Sequence, residues 1–182
     1  MILLISGPLA VGKSQVASYL IEEYGFNKIS SSAYLKSILD EQKLGVSRQS
    51  LQELGDRLDK DTKYKWLATD IICPAVQADL HSHWLIDAVR KPEQVEFIRS
   101  QFKNVYHVHF VADESVLLQR YSERMATGDH AEGNTAYELA ITHPNEVSAR
   151  SLKNVANCVI DLGNESAKAA AEKIWEIIAP GV

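Results

Sequence analysis

The sequence predicts an α/β protein in which a central parallel sheet lies between layers of helices. Three observations carry that prediction. Short apolar runs alternate with segments of helical period along the chain, as parallel strands joined by helical crossovers do. The runs are nearly continuous in apolar residues, which suits strands covered on both faces. The first run, Met1 to Ser6, passes directly into Gly7-Pro8-Leu9-Ala10-Val11-Gly12-Lys13-Ser14 and then into a helical pattern.

The elements follow in order. Met1-Ile2-Leu3-Leu4-Ile5-Ser6 has the length of a buried strand. Val16, Ala17, Leu20 and Ile21 share a helical face that stops at Tyr24-Gly25. Lys28-Ile29-Ser30 predicts a short second strand, with Ser31 or Ser32 capping a helix that carries Tyr34, Leu35, Ile38 and Leu39. Gly45 breaks that pattern. A further helix from about Ser50 spaces Leu51, Leu54 and Leu58 on one face, and Trp66, Leu67 and Ile71 continue it to Cys73-Pro74. His83 to Asp87 reads as a buried strand, Pro92 opens a helix with Val95, Phe97, Ile98 and Phe102, and Val105 to Val111 is another strand. Asp113 caps a helix through Arg124. Thr127 to Pro144 is polar and contains Gly128, Gly133 and Asn134, with almost no apolar anchor, so it predicts a loosely held segment. Cys158 to Leu162 is the last strand. Glu165 to Ala179 is the last helix, with Ile174, Trp175 and Ile178 inward.

Composition narrows the class. The 182 residues fit one domain, and 46% hydrophobic with 24% charged residues is ordinary globular chemistry. Nineteen basic against 24 acidic residues give a net charge of −5, which argues against a general nucleic-acid binder. No run is long enough to span a membrane, and the apolar start lacks the basic leader of a signal peptide. Cys73 and Cys158 are isolated in apolar surroundings and read as buried free thiols. A cytoplasmic protein with a small-molecule partner, no nucleic acid and no membrane is the expectation, as a monomer or homodimer.

Gly-x-x-x-x-Gly-Lys-Ser between a strand and a helix is the Walker A phosphate loop. The chemistry accounts for the residues. Backbone amides from Gly7 through Ala10, Val11, Gly12, Lys13, Ser14 and Gln15 cup phosphate oxygens at the positive end of a helix. Gly12 allows close approach, Lys13 reaches the β- and γ-oxygens, and the Ser14 hydroxyl ligates magnesium. An ordinary glycine turn would give Lys13 no reason to sit there. ATP with Mg²⁺ is the expected cofactor pair.

The second informative stretch is Leu85-Ile86-Asp87-Ala88-Val89-Arg90. An aspartate ending a buried strand sits where open α/β sheets place ligands. Asp87 there suits a magnesium-bound water or the acceptor's proton, and Arg90 suits a phosphate. Arg120 and Arg124 are four apart on one helix before the polar Thr127–Pro144 segment, and Arg150 follows it. Those three cations suit a migrating phosphoryl group, although solvated ion pairs with Glu123 or Glu146 are the ordinary fate of such residues. His107 and His109 share a strand face, but no third ligand stands at metal spacing, so they read as structural.

These motifs together resemble the nucleoside and deoxynucleoside monophosphate kinases, adenylate kinase-like proteins of the P-loop class, with features of the dephospho-coenzyme A kinases. Ser47 to Arg57 is similar to the acceptor-binding region of deoxynucleoside monophosphate kinases. Asp87-Ala88-Val89-Arg90 resembles their Asp-Gly-x-Arg segment, and Asn157 to Gly163 resembles the closing strand and adenine-side loop of dephospho-coenzyme A kinases. The resemblance implies a three-layer α/β/α P-loop kinase fold over residues 1–182, with a helical acceptor-binding insert at about 32–78 and a short lid at about 120–150. It implies transfer of the γ-phosphoryl group of ATP to a nucleoside or deoxynucleoside monophosphate. Lys13, Asp87, Arg120, Arg124 and Arg150 would be catalytic, Ser14 and Asp87 would hold the metal, Gly163 would border the nucleotide, and Arg48, Arg57 and Arg90 would hold the acceptor. The lid carries no cysteine, which excludes a zinc-bound lid. A dephospho-coenzyme A kinase-like enzyme and a non-catalytic nucleotide-sensing module are the alternatives. A regulatory GTPase is disfavoured by the lack of an Asn-Lys-x-Asp stretch.

Overall fold

A computed structural model describes residues 1–87, 89–127 and 135–179, with the backbone alone for Arg48. Five strands, β1 (Ile2–Ser6), β2 (Asn27–Ile29), β3 (Trp84–Ile86), β4 (Val105–Val111) and β5 (Cys158–Asp161), form one sheet in the order β2-β3-β1-β4-β5. Every pairing is parallel. β1 is central, with Leu4 opposite Ile86 on one side and His107 on the other. The chain places β2 and β3 on one side of β1 and β4 and β5 on the other, so the sheet's switch point lies at β1. The ligand crevice of such sheets opens beyond the strand ends at that point.

Alternate residues of the strands feed two cores. Leu3, Ile5, Val108 and Phe110 pack on one face with Leu20 of α1 (Lys13–Tyr24), Leu117 of α6 (Glu114–Ala126) and Ile174 of α9 (Ala167–Ile178). Ile2, Leu4 and Ile86 pack on the other. There they meet Leu35 of α2 (Ser31–Glu41), Leu54 of α3 (Arg48–Thr62) and Ile98 of α5 (Pro92–Gln101). A six-residue π-helical stretch, Leu67–Ile72, leads into α4 (Cys73–Ala78) and buries Leu67, Ala68 and Ile72 in the same core. The result is the expected three-layer α/β/α sandwich around a parallel sheet.

Local signals place most boundaries. Gly25 ends α1 in the left-handed conformation at φ 67°, where a side chain is disfavoured. α3 begins at Arg48 rather than near Ser50. Ser47 caps it, its hydroxyl accepting the Ser50 amide while the Ser50 hydroxyl accepts the Ser47 amide. The α2 cap also differs from expectation: Ser30 holds the N-cap position and makes no side-chain bond, and Ser31 and Ser32 lie in the first turn. Asp113 occupies the N-cap of α6, again without a side-chain bond. Cys73 and Cys158 are free but only half-buried.

The expectation of a weakly anchored 127–144 segment needs correction in its second half. Short α7 (Tyr137–Ala140) is pinned by Tyr137, 6% exposed in the first core, before α8 (Pro144–Ser151) begins. Tyr137 stacks obliquely on Tyr121, and its hydroxyl donates to Glu114 at 2.6 Å. One aromatic side chain supplies what the polar composition concealed. Gly128, Gly133 and Asn134 lie outside the described residues.

His107 and His109 are fully buried on β4, and the Ser6 hydroxyl bridges them at 2.7 Å to Nε2 and 2.8 Å to Nδ1. A serine hydroxyl has one proton, so it donates to one ring and accepts from the other. Burial holds both imidazoles down to about 4, with Arg99 adding to the effect at His107 and Lys13 at His109. The unfolded chain therefore binds more protons between about pH 6.5 and pH 4. Stability that is full above that window falls as pH drops through it, by on the order of a few kcal/mol. The melting temperature should decline from pH 6.5 to 4.5 while both imidazole resonances stay at their neutral positions. A titration of either ring near 6.5 in the folded protein contradicts this account.

Candidate active site

The turn from β1 into α1 has three residues at positive φ: Gly7 at 145°, Ala10 at 62° and Gly12 at 109°. A Cβ on Gly7 would stand 2.6 Å from the Phe110 carbonyl oxygen, so β4 closes against the loop there. Ala10 adopts a left-handed conformation that costs a non-glycine residue about 1 kcal/mol. The Val11 amide donates to the Pro8 carbonyl at 3.3 Å. The amides of Ala10, Gly12 and Ser14 donate to no acceptor among the described residues. A loop that spends backbone strain and leaves amides without acceptors at a helix N-terminus has the geometry that suits an anion. Lys13 folds over the loop, its Nζ donating to the carbonyls of Gly7 at 2.8 Å and Pro8 at 3.0 Å.

Two side chains brace the loop from elsewhere. Arg120 of α6 donates to the Val11 carbonyl and to the Leu162 carbonyl, each at 2.9 Å, tying the loop to the end of β5. Glu146 of α8 accepts the Leu9 amide at 2.9 Å and Arg150 Nε at 3.0 Å. Arg150 also pairs with Glu114 at 2.8 Å, and that bond holds the Glu114 carboxyl below its usual range. Arg120 and Arg150 thus stand near the loop but on carbonyl and carboxylate partners. Arg124 lies one turn beyond Arg120 on α6, away from the cavity described next.

Asp87 follows β3 with its side chain 14% exposed and Lys28 of β2 at 3.7 Å. Burial pushes its pKa up, while the charges of Lys13, Lys28 and Arg90 oppose the shift. A cavity of about 550 Å³ joins this strand end to the loop. Gly7, Leu9, Lys13, Asp87 and Arg90 form one part of its wall. α2 and α3 contribute Ser32, Lys36, Leu51, Asp56 and Asp59, and α8 contributes Asn145 and Glu146. The two motifs read from the sequence therefore open on one space.

The other expected residues divide. Arg57 is exposed and outside the cavity wall, and the Arg48 side chain lies outside the described residues, as does Ala88. Ser14 and Gln15 are exposed in the first turn of α1. Gly163 sits in the turn after β5, its amide donating to Asp161 Oδ1 at 2.8 Å. The neighbouring Leu162 reaches within 3.6 Å of where a Gly12 Cβ would lie, so this turn adjoins the loop.

Magnesium would find hard oxygen donors in the exposed Ser14 hydroxyl and in Asp87. No group of three or more His, Cys, Asp or Glu among the described residues forms a protein-only cage. That suits an ion shared with phosphate oxygens and water rather than one held by protein alone.

Sequence reasoning missed Ser6, Lys28, Asp56, Asp59, Gln94 and Asn145 as site residues, and named Glu146 only as an ion-pair partner, without its bond to the Leu9 amide. One signal was available: Leu51, Gly55 and Asp59 form an i, i+4, i+8 row, in which a glycine and an acid interrupt an apolar stripe. For Glu146 and Gln94 the position is set by contacts more than thirty residues away.

No protein-family model matches this sequence, and no curated protein matches it. Solved structures do match over nearly the whole chain. A sugar kinase from Janibacter sp. shares 16% identity, covering 98% of this chain and 95% of its own at a TM-score of 0.59. Shikimate kinase from Aquifex aeolicus shares 14%, covering all of both chains at 0.56. Dephospho-CoA kinase from Campylobacter jejuni shares 15%, covering 100% and 98% at 0.56. The chain has the fold of these P-loop kinases.

The close approach of β4 to the loop is testable. Gly7→Ala combines positive φ with a backbone clash and should lower stability by on the order of 3 kcal/mol. Chemical denaturation measures it, and an unchanged midpoint would remove the proposed contact between loop and strand.

Proposed function

We propose that this protein is an ATP-dependent phosphotransferase that moves the γ-phosphoryl group to a nucleoside or deoxynucleoside monophosphate. The observation that carries the reading is the shared cavity, where the phosphate loop, the Asp87–Arg90 strand end and helices α2 and α3 meet. A donor phosphate on the loop and an acceptor under the helices would face each other there. The sugar kinase, shikimate kinase and dephospho-CoA kinase that share this fold act on small molecules, which supports a small acceptor. The apolar wall of Leu35, Val46, Leu51, Trp66 and Val89 favours a flat base over a polyhydroxylated sugar.

Each residue has a physical task in this reading. The loop amides and the α1 N-terminus hold the β- and γ-phosphates. Lys13 exchanges its bonds to the Gly7 and Pro8 carbonyls for phosphate oxygens, placing its charge where the migrating group becomes most negative. Asp87, pushed up by burial, orients the acceptor phosphate, accepting a proton only from its monoanionic form. Ser14 and Asp87 would hold magnesium, which would supply charge neutralisation at the phosphate oxygens. Arg90 pairs with the acceptor phosphate. Arg120 positions the loop through the Val11 carbonyl. For Arg150 to act on a phosphate it must leave Glu114 and Glu146, which makes it a candidate for recruitment on substrate binding. Residues 32–78 are the acceptor cover in this reading.

A second reading, a dephospho-coenzyme A kinase-like enzyme, is supported by the full-length likeness to the Campylobacter enzyme. A panel of ribo- and deoxyribonucleoside monophosphates and dephospho-coenzyme A, with ATP and Mg²⁺, separates the two by ADP release. Nucleotide binding without turnover on any acceptor would leave a sensor module. Lys13→Ala should cut turnover by more than about 100-fold in a folded protein. Arg90→Ala should raise the acceptor KM or lower kcat with ATP affinity nearly intact. A fall in ATP affinity with normal acceptor kinetics would reverse the two sites.

A further inference from the structure

Asp59 is a buried carboxylate for which the chemistry above finds no use. It lies on α3, 7% exposed, and lines the cavity. Its Oδ1 accepts the Trp66 indole N–H at 2.7 Å and the Gln94 amide at 2.8 Å. The direction of the Gln94 amide is fixed, because its oxygen accepts the backbone amides of Arg90 at 2.9 Å and Lys91 at 3.3 Å. Both donors are thus spent on one oxygen, and Oδ2 accepts none among the described residues. Burial pushes the Asp59 pKa up, with the Trp66 and Gln94 bonds opposing the shift. Oδ2 keeps some exposure, since it is not among the buried atoms that lack a partner, and a ligand that covered it without donating to it would leave a carboxylate oxygen unpaired at a cost.

The surroundings say what that donor can be. One turn earlier, Gly55 leaves the wall open, since a Cβ there would meet only Leu35 Cδ1 at 3.8 Å. Leu35, Leu51, Trp66 and Val89 make the neighbouring wall apolar. Asp59 is also tied to the Arg90 end of β3 through the single amide of Gln94. A ring that stacks against apolar side chains, carries its phosphate near Arg90 and presents an N–H to Oδ2 satisfies all three.

We propose that Asp59 selects the acceptor by accepting a hydrogen bond at Oδ2 from an exocyclic amino group of its base. This rests on the monophosphate kinase reading above. Because Oδ1 already accepts two bonds, only Oδ2 is left to receive the base. A ring N–H flanked by two carbonyls, as in thymine or uracil, would press a carbonyl oxygen against the carboxylate. Amino-bearing bases, such as cytosine and adenine, avoid that repulsion.

The test compares dCMP with dTMP as acceptors for wild-type protein and Asp59→Asn, reading kcat/KM by ADP release and affinity by calorimetry. Wild type should favour dCMP by tenfold or more, and Asp59→Asn, which turns an acceptor into a donor, should erase or reverse that ratio with the ATP KM unchanged. Equal loss on both acceptors would overturn the inference and leave Asp59 as a brace for Trp66 and Gln94. A second measurement needs no variant: dimethylating the amino group of dCMP should lower wild-type affinity by tenfold or more, and unchanged affinity would also overturn it. If wild type turns over no monophosphate but binds dCMP over dTMP, the kinase reading falls and Asp59's role stands. If it binds neither, both fall.

Discussion

The structure depends on one turn, in which the chain leaves the central strand at Ser6 and enters α1 at Lys13 with the amides of Ala10, Gly12 and Ser14 lacking an acceptor among the described residues. That turn is held from three directions. β4 presses on Gly7 through the Phe110 carbonyl, Arg120 draws the Val11 carbonyl toward the end of β5, and Glu146 takes the Leu9 amide. Backbone amides that stay free for an anion contribute nothing to folding, so the surrounding contacts must offset the strain. The two braces come from α6 and α8, which lie on either side of the polar segment, so its flanks are coupled to the phosphate loop.

Charge around the cavity is nearly balanced, and the balance is local. Lys13, Lys28 and Arg90 oppose the burial that pushes Asp87 toward its neutral form. Lys13 also helps keep His109 uncharged, together with burial. Cations are therefore concentrated at the strand ends, where phosphates would gather, and neutral imidazoles lie behind them in the sheet. Near α3 the sign changes, with Asp56 bonded to Asn145 at 2.9 Å and Asp59 bonded to Trp66 and Gln94. A ligand with an anionic end and a hydrogen-bond donor at the other end matches this polarity.

What the sequence determined by itself is local and periodic. Strand and helix order, the parallel sheet and the strand-turn-helix at Gly7 to Ser14 were legible because each rests on residues within a few positions: the apolar run before Gly7, the Gly-x-x-x-x-Gly-Lys-Ser spacing, Pro92 at the first position of α5. The placing of Asp87 and Arg90 on the same space as Lys13 was legible too, since the switch-point rule turns strand order into proximity. Tertiary structure decided the rest, because those answers depend on partners distant in sequence. Composition marked 127–144 as unanchored, yet Tyr137 reaches the core. The pair of Arg150 with Glu146 was legible at its four-residue spacing, but the other partners were not, since Val11 lies 109 residues from Arg120 and Glu114 lies 36 from Arg150. The sequence places Asp59 on the row of Leu51 and Gly55, but only the folded structure brings Trp66 and Gln94 together on a single one of its oxygens. A hydrogen bond is specified by two groups at once, and a linear pattern reports only one of them.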